Sequence, residues 1–118
     1  MTASGPEQWA AVDERLAVFA REDAVLAAAR TSTEVSSPGI QVSRQMGRML
    51  HILALASGAR RVLEFGTLAG YSTIWLARAV GLSGRVVSIE LDRANAAVAR
   101  GHLEDAGVSA WVDIHCGP

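Results

Sequence analysis

Cysteine is almost absent from this chain. Cys116 is the only one among 118 residues, which excludes an internal disulfide framework and fits a reducing compartment. Cys116 itself reads as a small buried hydrophobe. Long apolar runs are missing too: none approaches the length of a bilayer span, and Met1–Pro6 is polar rather than signal-like. No membrane partner and a cytoplasmic location are the expectation. An excess of charge of one sign is also lacking. Eleven basic residues meet twelve acidic ones, for a formal net charge of −1, so there is no electrostatic case for nucleic acid or an anionic membrane. There is no internal repeat and no low-complexity segment. The three histidines fall on separate elements without pairing, and read as packing or surface residues rather than bases or ligands.

What is present is a globular composition, half hydrophobic and 19% charged, long enough for one small domain with a limited core. Residues 1–8 read as a frayed start, with Pro6 suited to the first turn of a helix. From Trp9, the apolar positions Val12, Leu16 and Phe19 recur at helical spacing. Asp23 is placed to cap a second helix carrying Val25, Leu26 and Ala29, and Thr31–Gly39 reads as a loop. Ser43 is the expected N-cap of a third helix with the stripe Met46, Met49/Leu50 and Leu53, ended by Gly58.

After Gly58 the rhythm changes. Arg61–Phe65 and Arg85–Glu90 are short Val, Leu and Ile runs that read as buried strands. Thr73–Val80 and Arg93–Ala106 read as helices, and Trp111–His115 as a third strand. Strands alternating with helices predict an α/β fold with a parallel sheet. The organisation is therefore an N-terminal helical segment over 1–40 and a strand–helix region over 41–118, one domain overall.

The functional signal lies in the glycine-punctuated stretch from Glu64 to Ser72. A strand, a turn that permits close backbone approach and a helix N-terminus make a site for a nucleotide-like cofactor. Gly66 allows backbone to lie against a ligand, Gly70 allows the turn and close helix packing, and Ser72 or Thr73 is a candidate cap. The N–H groups of Thr67–Ser72 suit a carboxylate or phosphate. The Gly-x-x-x-Gly spacing departs from the dinucleotide pattern. Glu90, ending the second strand, is placed to accept hydrogen bonds from ribose hydroxyls; the competing reading is a solvated strand end with Asp92 as a helix cap. Glu64, an acid in an apolar strand, needs a partner. A cationic amino group would point to a ligand with an α-amino acid portion, whereas an ion pair with Arg60 or Arg61 is the structural alternative.

At these residues the chain resembles the cation-dependent O-methyltransferases of the catechol and caffeoyl-CoA type, from about Gln41 onward. The resemblance is carried by Gln41-Val42-Ser43, Met46–Leu53, Ala59–Glu64, Gly66-Thr67, Gly70-Tyr71-Ser72-Thr73, Leu76-Ala77, Gly84-Arg85-Val86, Ile89-Glu90 and Gly117-Pro118. It implies a Rossmann-like fold that binds S-adenosylmethionine (SAM) and transfers its methyl group to a hydroxyl of a small catechol-like or phenolic acyl-CoA substrate. It further implies that Val42, Glu64, Gly66, Thr67, Gly70, Tyr71, Ser72 and Glu90 form the cofactor site, with Glu64 on the amino group, Ser72 on the carboxylate and Glu90 on the ribose. Ile40 stands where many relatives carry Met.

In the family a divalent cation such as magnesium, held by Asp and Asn side chains, binds two substrate oxygens. Those ligands lie downstream of the third strand, starting in an Asp-Ala-Asp-Lys-like segment after the fourth, which these 118 residues do not contain. Asp105, Asp113 and His115 lack convergent ligand spacing, so no catalytic and no metal-binding residue is assigned. The chain thus reads as a front half, truncated after about the third strand. Arg61–Phe65 would then be a sheet edge with uncovered apolar faces, and a homodimer or poor stability alone is expected. Trp9–Ala29 is placed either to form a dimer interface or substrate lid, or simply to pack. A non-catalytic SAM-binding or interaction module and an NAD-binding domain are the alternative functions. The glycine spacing and Glu64 disfavour the second.

Overall fold

The computed structural model describes residues 5–118; the first four residues of the expected frayed start lie outside them. Helix α1 (Pro6–Leu16) opens with Pro6 in its first turn and buries none of its residues. A short 3-10 turn, Ala17–Phe19, follows. Helix α2 (Ala24–Arg30) starts where Asp23 accepts from the Leu26 N–H, and α3 (Arg44–Ala56) where Ser43 accepts from that of Met46. Each cap satisfies an N–H with no partner inside its helix.

Strand β1 (Arg61–Phe65) leads through the glycine turn into α4 (Tyr71–Val80). Then come β2 (Arg85–Glu90), α5 (Arg93–Asp105) and β3 (Val112–Cys116). The strands lie parallel in the order β1-β2-β3. Glu64 stands opposite Ser88, and Glu90 opposite Cys116. The core forms where Ile74 and Ala77 of α4 meet Val86 of β2, Leu103 of α5 and Leu26 of α2. Among the described residues, no helix is long and apolar enough to cross a membrane.

Four expectations need correction. Strand β1 is not buried on both faces as its apolar run predicts, but is the uncovered sheet edge expected where no later strand pairs with it. It pairs only with β2, and Leu63 and Phe65 are 59% and 78% exposed. Its other face, with Val62 and Glu64, is half-buried. Of the expected α3 stripe, Leu50 is partly buried against the core, but Met46, Met49 and Leu53 are not buried. All three are exposed, and Gly47 and Ala54 are buried instead. The reason is the neighbouring helix: a Cβ at Gly47 would lie 2.5 Å from two atoms of the Trp75 indole, so the smallest residue on α3 fixes the face that meets α4. Neither Ser72 nor Thr73 caps α4, whose N-cap is Gly70 without a side-chain cap. Finally, Cys116 is exposed, because it ends the outer strand β3.

Candidate cofactor site

The turn between β1 and α4 is built from three left-handed residues in five. Gly66 and Gly70 both have φ +89°, and Leu68 has φ +51°. Glycine adopts this region freely, whereas a leucine there must be held. Glu90 holds it. Its Oε2 accepts from the N–H of Leu68 at 2.7 Å and of Thr67 at 3.2 Å, and its Oε1 from the N–H of Asp92 at 3.0 Å. Burial pushes the Glu90 carboxyl pKa up, but the N–H donors of Asp92, Leu68 and Thr67 outweigh it and hold it below the ordinary value. The far end of the turn is pinned by His102, whose Nδ1 lies 2.7 Å from the Ala69 carbonyl oxygen. A Cβ on Gly70 would meet Ala99 of α5 at ordinary contact distance, so it is the left-handed φ of +89° that calls for glycine here. A Cβ on Gly66 would meet nothing within 4 Å, leaving that backbone open to a ligand.

Glu64 is not paired with Arg60 or Arg61. Its Oε2 accepts from the Ser72 hydroxyl, and its Oε1 from the hydroxyls of Thr73 and, at 2.7 Å, Ser88. The Ser88 hydroxyl is also 2.6 Å from that of Thr67. Asp92 caps α5, accepting from the N–H groups of Ala94 and Asn95, so the capping role weighed for it and the engagement of Glu90 occur together.

Val42, Glu64, Gly66, Thr67, Tyr71, Ser72 and Glu90 all line one pocket of about 570 Å³ at the C-terminal ends of β1 and β2. Gly70 does not line it and acts through the shape of the turn. The Tyr71 phenol is unavailable to a ligand there, since it is fully buried and donates to Glu22 Oε2 at 3.0 Å. Burial, reinforced by that acidic acceptor, raises its pKa to about 12. Glu22 in turn takes the guanidinium of Arg30.

Sequence reasoning missed part of the wall. Ser36 and Asn95 also line the pocket. The Ser36 N–H donates to Asn95 Oδ1 and the Asn95 amide to Ser36 Oγ, both at 2.9 Å. This reciprocal pair fastens the 31–39 loop to α5, and no local pattern marks two polar residues that far apart as partners. His102, read as a packing or surface residue, carries an unforeseen role in shaping the turn.

This is the arrangement of an open α/β sheet with its ligand crevice at the carboxyl ends of the strands. A family described as O-methyltransferase matches residues 17–118. The chain belongs to that family. Within it, the chain is 50% identical over 98 residues to a catechol O-methyltransferase of Mycobacterium tuberculosis, covering 82% of this chain and 44% of that protein. It is 45% identical over 96 residues to a catechol O-methyltransferase of Niastella koreensis, covering 81% and 43%. Among solved structures, an O-methyltransferase of Streptomyces achromogenes involved in tomaymycin synthesis, in complex with SAM, superposes with a TM-score of 0.87. That match has 42% identity and covers 98% of this chain and 53% of that one. The chain thus spans about half the length of the relatives it matches. Its three parallel strands and flanking helices are the Rossmann-like fold expected of the family.

Proposed function

We propose that this chain holds the SAM-binding part of a SAM-dependent O-methyltransferase, which transfers a methyl group to a hydroxyl of a small catechol-like or phenolic acyl-CoA substrate. The observation that carries the reading is the placement of two acids, Glu64 and Glu90, on adjacent strands around one glycine turn and one pocket. SAM is cationic at its amino group and sulfonium and anionic at its carboxylate, and its ribose offers two hydroxyls.

The donor set fits those groups. Of about four acceptor positions on a carboxylate, Glu64 has one open on Oε2, suited to an ammonium group. The first turn of α4 carries no side-chain cap, so its N–H groups suit a carboxylate. Glu90 has one open position on Oε1 for a ribose hydroxyl. Bound SAM would supply an electrophilic methyl group. The residues here bind and orient it, and catalysis would rest largely on that positioning. A divalent cation enters this reading only through the resemblance. The described residues do not gather three His, Cys, Asp or Glu side chains into a cation site.

Calorimetric titration with S-adenosylhomocysteine tests the reading. The wild-type chain is expected to bind it in preference to NAD, and Glu90→Ala to weaken binding at least tenfold, as loss of a charged hydrogen-bond partner would. Equal binding by wild type and Glu90→Ala would remove Glu90 from the ribose. Preference for NAD would overturn the assignment.

A further inference from the structure

Glu64 lines the pocket, but two of the hydroxyls that hold it do not. Ser88 and Thr73 are both fully buried, one in the middle of β2 and the other in the first turn of α4, and neither reaches the pocket wall. A hydroxyl at such a place needs a partner, and a hydrophobic residue would fill either position without that demand. Both spend their hydroxyl on the same oxygen, Glu64 Oε1.

The donor arithmetic of this cluster runs one way. Ser88 has a single proton, and an ionised carboxylate can only accept, so Ser88 donates to Glu64. The 2.6 Å contact between Thr67 and Ser88 is then a donation from Thr67. The chain of protons Thr67 to Ser88 to Glu64, joined by that of Thr73, fills both acceptor positions of Oε1. Ser72, which does line the pocket, takes one position of Oε2. One acceptor position of the carboxylate remains.

We propose that Ser88 and Thr73 are positioning residues that lock the Glu64 carboxylate from behind, so that the single free acceptor of Oε2 is presented to a cationic amino group of the ligand. This rests on the SAM reading above and deepens it by naming the buried hydroxyls that hold Glu64 in place. Glu64 and its buried hydroxyls recognise the amino-acid end of the ligand, and Glu90 recognises the nucleoside end. Hydroxyls that donate to a carboxylate fix its rotamer. Without them the carboxylate must be ordered by the ligand, and affinity falls by that cost. The register makes the arrangement possible: Ser88 is the residue directly opposite Glu64 in the parallel pair.

The test compares two ligands that share the nucleoside end. S-adenosylhomocysteine carries the amino-acid portion, and 5′-methylthioadenosine lacks it. Calorimetry on the purified chain is expected to show that Ser88→Ala and Thr73→Val each weaken S-adenosylhomocysteine about tenfold, as loss of one hydrogen bond to a charged group does. Binding of 5′-methylthioadenosine should be unchanged, and Thr73→Ser, which keeps the hydroxyl, should restore wild-type affinity. Thermal melts of each variant identify any that fail to fold, and Thr73→Ser against Thr73→Val then decides. Equal weakening of both ligands, or no weakening of either, overturns the positioning role. Failure of the wild-type chain to bind S-adenosylhomocysteine overturns the SAM reading itself, and with it the ligand assigned to Glu64.

Discussion

Tyr71 is the only tyrosine in the chain, so its titration can be followed without interference from another phenol. Burial, helped by its hydrogen bond to Glu22, raises its pKa to about 12. A phenol whose folded pKa lies above its unfolded value of about 10 favours the native state while it stays protonated. That contribution is complete below about pH 10 and is lost as pH rises through the folded value near 12. Absorbance at 295 nm is therefore expected to stay flat past pH 10 and rise only near 12, together with unfolding. Tyr71→Phe should flatten the loss of stability over that window. A phenolate appearing at pH 10 in the folded protein would refute the buried contact. At this scale the sequence was partly legible. Glu64 and Glu90 stood out because acids in apolar strands are rare and costly. Tyr71 was assigned to the cofactor by resemblance, yet its phenol serves the packing between α4 and the segment before α2. The Glu22 partner lies 49 positions away, beyond any local pattern.

Among the elements, two helical glycines make opposite predictions. Gly101 lies in α5, and a Cβ there would meet nothing within 4 Å. Gly101→Ala should stabilise the chain by about 1 kcal/mol, the helix-propensity difference. Gly47 lies in α3 against α4, where the added Cβ would fall 2.5 Å from two atoms of the buried Trp75 ring. Overpacking of this kind costs about 1–3 kcal/mol, enough to cancel the propensity gain. Gly47→Ala is expected to be destabilising by up to about 2 kcal/mol once the propensity gain is offset, read as a fall in the urea midpoint at constant m-value. The same pair explains what could be read in advance. The runs Arg61–Phe65 and Arg85–Glu90 coincide with β1 and β2, because Val, Leu and Ile runs bounded by turn residues state their own ends. Caps at Asp23, Ser43 and Asp92 were equally local. The packing face of α3 was not, because helical spacing places several apolar stripes on one cylinder and the partner chooses among them. Here an indole chose the glycine. The hydroxyls around Glu64 were hidden for a related reason, since only the β1–β2 register brings Ser88 opposite it.

Across the whole molecule, large apolar side chains stand exposed on several elements. Leu63 and Phe65 stand on the outer face of the edge strand β1, and Met46, Met49 and Leu53 on the outer face of α3. Trp9 and Phe19 are exposed in the N-terminal segment. Strand β1 also offers a row of backbone groups on the side away from β2, a template for another strand. Exposed apolar side chains beside an open strand edge favour association in water, and self-association is the expectation they carry. Sedimentation is expected to show species above the monomer mass of 12.4 kDa. Phe65→Arg is the variant that distinguishes association through this edge from general instability. Phe65 is 78% exposed, so the substitution removes almost no core packing, whereas a charge on an exposed edge blocks strand-on-strand pairing. The variant should therefore sediment closer to the monomer while melting within a few degrees of the wild type. A monomeric wild type with a single cooperative unfolding transition would show that the apolar edge is tolerated in water. Such a result would refute association through this edge, although the cofactor pocket at the C-terminal ends of β1 and β2 would stand.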